Sequence, residues 1–546
     1  MLDHNKITFK IIETEVLLLS RSEVIKSFFT GFLTLCLVLV STIISTFKTG
    51  VGAVIDTALI SICLLKVFHA LSKKTTALAD CFARAFLSCA STIALYFAVL
   101  FLQGGKVSTK QSFQFVFIAV ISAILGILFF STMTEYFSEE QYAFPQLIPR
   151  ISMISAAESS HEKRQKMILS VILSSGYAVV VKIWKLIPSQ MIRLRNSSIF
   201  LIQNSLLYVA TGYFIGYQTW IKMLVGFCYS LLLFFLHPVE DFSEHLLNPY
   251  LYSVILAFSL TNGIVAIMKA VKKWKLTVPC RKQQANKKSK LFGIFVLVGL
   301  CCIYLVSFSM WYPNEKLPIW IFVCLIFVTV ISSMSTAMGV AETGFWFSAL
   351  DDIVPILLIA LLQLRNVDVI LLVLTGLTAF EMSGIYYTIN WRVTLNFSIK
   401  KEMLTVFSII SCMLGAILTF GIVIILAKGN TIGGTELPVP NTKVLAMTMD
   451  GLISALSEFQ FPEYLNFTVF FIACLVCLLL LRLKISPMTI IAGLMLPFGA
   501  FLALGGGALL SYCMRKKENK RMEIFSGMAI GESLVSAVTC MIGAFF

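Results

Sequence analysis

Three acidic residues stand where an acid is costly, and chemistry in this chain starts with them. Asp56 lies in TGVGAVIDTALI, Glu381 in TGLTAFEMSG and Glu532 in GMAIGESLVS, each inside an apolar run. A carboxylate at mid-bilayer costs roughly 2.5–3.5 kcal/mol on the insertion scale, so it faces a cavity or a partner. A buried carboxyl group that titrates near ambient pH can carry a proton across a membrane. The alternative for each is a hydrogen-bonded carboxylate, or an ion pair with a lysine such as Lys66. Asp351 and Asp352 precede the apolar run IVPILLIALL, where helix N-capping accounts for them.

Other chemistries are poorly represented. There is no phosphate-binding G-x-x-x-x-G-K-[ST] loop and no H-E-x-x-H or G-x-S-x-G signature. The histidines are scattered, and none has a partner four residues away for a metal site. Cys474 and Cys477 have C-x-x-C spacing but lie within CLVCLLLL, where a thiol behaves as a small hydrophobe. An enzyme and a bound cofactor are therefore not expected. Transport without a chemical energy source in the chain would be ion-coupled or passive.

The elements that must position these acids are membrane helices. Apolar residues make up 58% of the 546 positions and charged residues 13%, and the mean hydropathy is +0.89. A soluble chain of this size needs about twice that share of charge to cover its surface. About sixteen apolar runs, from Val24–Phe47 to Ile524–Phe546, meet or approach the roughly 20 residues of one crossing. The expected fold is an all-α polytopic bundle, since the apolar–polar alternation of a β-barrel is absent. Ile353–Leu364 and Phe144–Ala157 are too short to cross unaided, and Gly or Pro interrupts Val51–Leu71 and Ser486–Cys513. Such half or broken helices either line an enclosed substrate path or are re-entrant or interfacial segments with no substrate role. In GLMLPFGAFLALGGGALL, Pro497 and Gly505-Gly506-Gly507 suit close packing or an unwound, cavity-lining segment.

The net charge of +15 does not indicate nucleic acid, because the basic residues fall in short loops between apolar runs. The densest cluster, Lys269–Lys290, reads as a cytoplasmic loop against anionic headgroups. It divides the chain into a first half (1–270), the basic loop (271–290) and a second half (291–546). Lys48-Thr49-Gly50 after the first run has a counterpart in Glu342-Thr343-Gly344, and Phe144-Pro145 has one in Phe461-Pro462. SLTNGIVAIM (259–268) lines up loosely with AIGESLVSAV (529–538). The side assignment conflicts, however: counting every run as a crossing puts Arg193, Arg195 and Arg515-Lys516-Lys517 opposite the basic loop. Either a segment is re-entrant or two runs are one.

Several stretches resemble the oligopeptide transporter (OPT) family, in order along nearly the whole chain. AGLMLPFGAFLALGGGALL resembles its "GLYLP…GG" segment, and GMAIGESLVSAV its final "SGLIAGE-A" helix. EEQYAFPQLIPRISMISA resembles the first-half "E-L-FP-G-A" motif, and FKTGVGAVIDTALIS the "LKTG" entry. LTGLTAFEMSGIYYTINWRVTLNFSIKK resembles a second-half stretch, with Asn390 about where an Asp is usual. The resemblance implies a duplicated transporter of about sixteen segments. It would move small peptides or metal-chelate, siderophore-like compounds inward with protons. Carried over by position, the implied site residues are Lys48, Thr49, Gly50, Phe144, Pro145, Thr343, Gly344, Asn390, Pro497, Gly506 and Glu532. Glu532 is the preferred coupling group and the others shape the cavity; Glu381 and Asp56 are coupling candidates from their place in apolar runs, not from the resemblance. Expected partners are the substrate, protons and membrane lipids, with a homo-oligomer left open. The expected location is a bacterial cytoplasmic membrane. The alternatives are an exporter or lipid flippase, and a membrane-embedded transferase.

Overall fold

The computed structural model describes residues 20–49, 57–69, 71–102, 109–137, 142, 144–156, 161–188, 190–193, 201–239, 242–276, 319–346, 366–429, 465–514 and 521–545, with isolated positions between 292 and 311 and at 432, 439, 446 and 449. Asp56, Gly50, the Asp351-Asp352 pair, Ile353–Leu364 and Phe461-Pro462 lie outside the described residues.

Hydrocarbon offers the backbone no hydrogen-bond partner, so an apolar chain in lipid must satisfy its N–H and C=O groups internally, as helix. The first half has α1 (Arg21–Thr49), α2 (Thr57–Val67), α3 (Lys73–Ala85), α4 (Leu87–Leu102) and α5 (Thr109–Phe137). A 3-10 turn (Pro145–Leu147) leads into α6 (Ile148–Ala156), then α7 (His161–Lys182). Two short antiparallel strands, β1 (Gln190–Arg193) and β2 (Leu201–Gln203), precede α8 (Leu206–Ile215), α9 (Tyr217–Leu236), α10 (Phe242–Leu246) and α11 (Pro249–Leu276). The second half has α12 (Ile319–Thr343), α13 (Val367–Asn396), α14 (Lys401–Gly429), α15 (Phe467–Arg482), α16 (Pro487–Met495), α17 (Phe498–Cys513) and α18 (Met522–Phe545). Nine helices of the described residues are long and apolar enough to cross a membrane. The protein is an all-α polytopic membrane bundle. Its outer helices present large apolar side chains, such as Leu169, Ile172 and Leu173 on α7 and Phe471, Leu475 and Leu479 on α15.

Several apolar runs are reorganised in three dimensions. The part of the run Ser198–Tyr217 from Leu206 onward joins Ile221–Leu236 in one broken helix, α8–α9, hinged at Gly216 with φ 79°. Ser486–Cys513 is a second broken helix, α16–α17, interrupted at Leu496-Pro497. The run beginning at Phe82 starts earlier than its hydropathy suggests. Ser72 and Thr75 form a capping box that launches α3 at Lys73, which brings Asp80 and Arg84 into a 30-residue span, Lys73–Leu102.

Several described elements of the two halves correspond. Lys73–Leu102 and Val367–Asn396 are each 30 residues long, and α5 and α14 are each 29. Contacts are exchanged between the halves: α5 packs on α13 and α14 on α3–α4, α7 on α18 and α15 on α11, α8 on α17 and α16 on α9. The glycines report the same exchange in atomic detail. A Cβ on Gly212 would lie 2.0 Å from Leu504 O, and one on Gly507 1.8 Å from Val209 O. A Cβ on Gly493 would lie 1.9 Å from Met223 O, and one on Gly226 2.1 Å from Ile490 O. Gly212 and Gly226 of the first broken helix thus occupy the places of Gly493 and Gly507 in the second. Only a residue without a side chain lets two backbones approach this closely.

These pairings also fix direction. Along α8–α9 the contact partner moves backward through α17 and α16, so the two broken helices are antiparallel. Cys81 and Tyr96 of α3–α4 meet Asn390 and Thr378 of α13, again in reversed order. Counterparts that face each other antiparallel are related by a two-fold axis perpendicular to the helices, hence in the membrane plane. This is an inverted arrangement. Within the first half, α1 and α3 are antiparallel as well, with Phe28 against Phe82 and Gly31 against Ala79. The 11-residue α2 between them therefore adds no crossing.

Candidate functional site

A buried ionic cluster forms where the halves meet. Asp80 on α3 is fully buried, and Arg150 on α6 is 2% exposed. Arg150 Nε donates to Asp80 Oδ2, and Thr57 Oγ1, at the start of α2, donates to Asp80 Oδ1. Arg84, one turn along α3, donates from Nε to Thr57 Oγ1 at 2.7 Å and lies 3.5 Å from Asp80 Oδ1. The second half contributes Asn390 on α13. Its Oδ1 accepts from Arg150 at 3.0 Å, and its Nδ2 donates to Cys81 O at 3.2 Å. Charges in a low-dielectric interior persist only when paired and hydrogen-bonded, and here the ties bring together α2, α3, α6 and α13.

Local backbone chemistry aims Arg150. Phe144 adopts a left-handed conformation, φ 45°, and its N–H donates to Ala341 O, near the end of α12, at 2.8 Å. Pro145 then opens the 3-10 turn, where its fixed φ suits the first helical position. Gly344, φ 77°, lies against it: a Cβ there would stand 3.2 Å from Pro145 Cγ. Thr343 Oγ1 accepts from Phe345 N at 3.2 Å and holds the exit of α12. Phe144, Pro145, Thr343 and Gly344 thus meet at the turn that leads into Arg150, and Asn390 meets Arg150 itself.

The opposite half repeats the device. Val439, φ 41° and followed by Pro440, donates its N–H to Phe47 O at 2.7 Å. Phe47 stands to Lys48-Thr49 as Ala341 stands to Glu342-Thr343. By this contact Val439 takes the place in the second half that Phe144 takes in the first; the sequence match to Phe461-Pro462 lies outside the described residues. Lys48 and Thr49 close α1.

Glu532 lies elsewhere. Lys182 Nζ pairs with its Oε1 at 2.8 Å, Ser205 Oγ donates to the same oxygen at 2.9 Å, and Leu207 N donates to Oε2 at 2.8 Å. The carboxylate sits on the N-terminus of α8, where the helix dipole favours an anion. The ion pair with a lysine, one of the alternatives the sequence left open for an embedded acid, is made here by Lys182. Glu381 is fully buried on α13 and accepts from Ser333 Oγ on α12 at 3.5 Å. It is nine residues from Asn390, or roughly 13 Å along the helix. Around it α12 buries Ser332, Ser333, Ser335 and Thr336, and Asn262 on α11 donates to Ser335 Oγ at 3.5 Å. Pro497 marks the break between α16 and α17.

Gly506 does not shape an interior. A Cβ there meets nothing within 4 Å, and the residue shares its face with exposed Leu502, Leu509 and Leu510. Gly507 makes the close approach, and Gly505 packs on Trp220. A run of three glycines on a helix necessarily points in three directions, so spacing alone cannot tell them apart.

Asp80, Arg84 and Arg150 were missed from the sequence. The available signal was an Asp-x-x-x-Arg pair within TTALADCFARAFL, and an arginine in a segment too short to cross. No protein-family model matches the chain, and no curated protein sequence does either.

Proposed function

We propose that this protein is a secondary active transporter, a proton-coupled symporter of small peptides or metal-chelate compounds built on the lines of the oligopeptide transporters. The observation that carries this reading is the antiparallel pair of broken helices, α8–α9 and α16–α17, exchanged between inverted halves. Inverted repeats with discontinuous helices at their interface suit alternating access, because the two halves can trade conformations and open the centre first to one side and then to the other.

The seam between α3–α4 and α13 supports it. At one end Asp80, Arg150 and Asn390 tie the halves; at the other, Tyr96 OH bonds Thr378 Oγ1 at 2.8 Å. Asn390 and Tyr96 hold equivalent places in the two halves. The seam thus has a charge-assisted tie at one end, Arg150 to Asn390, and a neutral, weaker one at the other. Between them lies Glu381, the carboxylate best situated to take up and release a proton. Glu532 serves as an anchor for α8.

The test is uptake by proteoliposomes. Accumulation of a labelled tripeptide or ferric chelate should require an inward proton gradient and collapse when a protonophore is added. Uptake indifferent to the gradient would exclude symport.

A further inference from the structure

Arg84 is only half engaged. Its Nε is used by Thr57 and Asp80, but its two terminal amino groups donate to no described residue. Its side chain is 23% exposed, whereas Asp80 beside it is 0%. Tyr386, on α13 one turn before Asn390, lies within electrostatic reach of Arg84. Its ring packs at 5.4 Å against Trp346, which follows the Thr343-Gly344 exit of α12. Trp346 Nε1 is sealed from solvent and has no hydrogen-bond partner among the described residues. A buried N–H left unpaired is unfavourable, and such groups in native structures call for a partner.

The character of these groups is uniform. A guanidinium, an indole N–H and a phenol stand in one neighbourhood, beside the Asn390 end of the seam, and all of them can donate. The carboxylate at hand, Asp80, already accepts from Arg150 and Thr57. The fork of an arginine matches the two oxygens of a carboxylate. We infer that Arg84, Tyr386 and Trp346 form a recognition site for a carboxylate group on the transported compound. This inference rests on the transporter reading above and adds the chemical class of the substrate. A peptide C-terminus and a free carboxylate of a metal chelate share that chemistry. The Arg150–Asp80 pair positions the site by holding Arg84 Nε and leaving its outer face free.

Equilibrium binding to the purified full chain in detergent tests this without any gradient. The probes are trialanine, trialanine C-terminal amide and ferric citrate, followed by isothermal titration. One of the two acids should bind and the amide should not; which acid binds separates a peptide from a chelate source. Arg84→Gln should weaken binding about ten- to a hundred-fold, the range for a hydrogen bond to a charged group. Trp346→Phe, which keeps the ring stack, should weaken it several-fold while the melting temperature stays unchanged. Arg84→Lys, which keeps the charge and loses the fork, should fall between wild type and Arg84→Gln. Equal binding of acid and amide, no effect of Arg84→Gln, or no binding of either acid at millimolar concentration would overturn the site. Carboxylate-selective binding together with gradient-independent uptake would instead leave the site standing and remove only proton coupling.

Discussion

Asp80 compensates Arg150, the buried first-half charge that reaches Asn390 of the second half, and its substitution should be among the most damaging in the chain. Removing one partner of a buried ion pair leaves the other charge uncompensated, at a cost of about 3–5 kcal/mol. Asp80→Asn and Arg150→Met should each destabilise by about that amount in chemical unfolding from detergent. The double substitution should cost clearly less than their sum, because the charge each single variant strands is gone. Glu381→Gln and Glu532→Gln should separate two roles for embedded acids. The first should abolish proton-driven accumulation but keep substrate exchange at equal pH on both sides. The second should lower thermal stability through loss of the Lys182 pair, with coupling intact. Legibility from sequence was uneven at this scale. Glu381 and Glu532 are visible because they interrupt long apolar runs. Asp80 is not, because lysines and threonines precede it and the hydropathy of the run only rises after it.

At the scale of the elements, glycine and proline decide where helices break and where they touch. Gly212→Ala and Gly493→Ala sit at equivalent places and should be similarly harmful, about 1–3 kcal/mol each, since the added carbon meets a backbone carbonyl that cannot rotate away. Gly506→Ala should be neutral or stabilising by up to about 1 kcal/mol, because it meets open space and alanine favours helix. Thermal melts of the three variants check both statements. The short α10 adds a pH-dependent contact. His245 bonds Ser230 Oγ on α9 through Nε2 at 2.9 Å and lies among Phe234, Phe242 and Phe498. Burial holds its imidazole below the ordinary value of about 6.5. The unfolded chain therefore takes up this proton first, so the contribution of neutral His245 is full above that value. It is lost as pH falls through the lower folded-state value. Melting temperature should decline with acidification below about pH 6.5, and His245→Gln should flatten that decline.

For the whole molecule the inverted relation of the halves makes a geometric prediction. The end of α4 at Leu102 and the turn after α13 at Ser398 hold equivalent places in the two halves. An inverted pair puts them on opposite sides of the membrane; a parallel pair would put them on the same side. Single cysteines at Leu102 and Ser398, in a background without exposed native thiols, should react with an impermeant maleimide from opposite faces. The same geometry bears on the conflicting distribution of basic loops. Two runs join in α8–α9 and α2 adds no crossing, so counting every apolar run as one crossing misplaces the loops that follow.

What the sequence determined by itself is the solvent and its consequence. An exterior this poor in charge belongs in hydrocarbon, and hydrocarbon requires helices whose interruptions and embedded acids carry function. Those properties are local, so a window of twenty residues contains them. Only the tertiary structure decided that Arg150 meets Asp80 and Asn390, 70 and 240 positions away, and that the halves run in opposite directions. Hydropathy has no sense of direction: a span reads equally apolar upward or downward. Which buried charge finds which partner depends on how distant helices dock, and that is set by close backbone contacts such as Gly212 on Leu504.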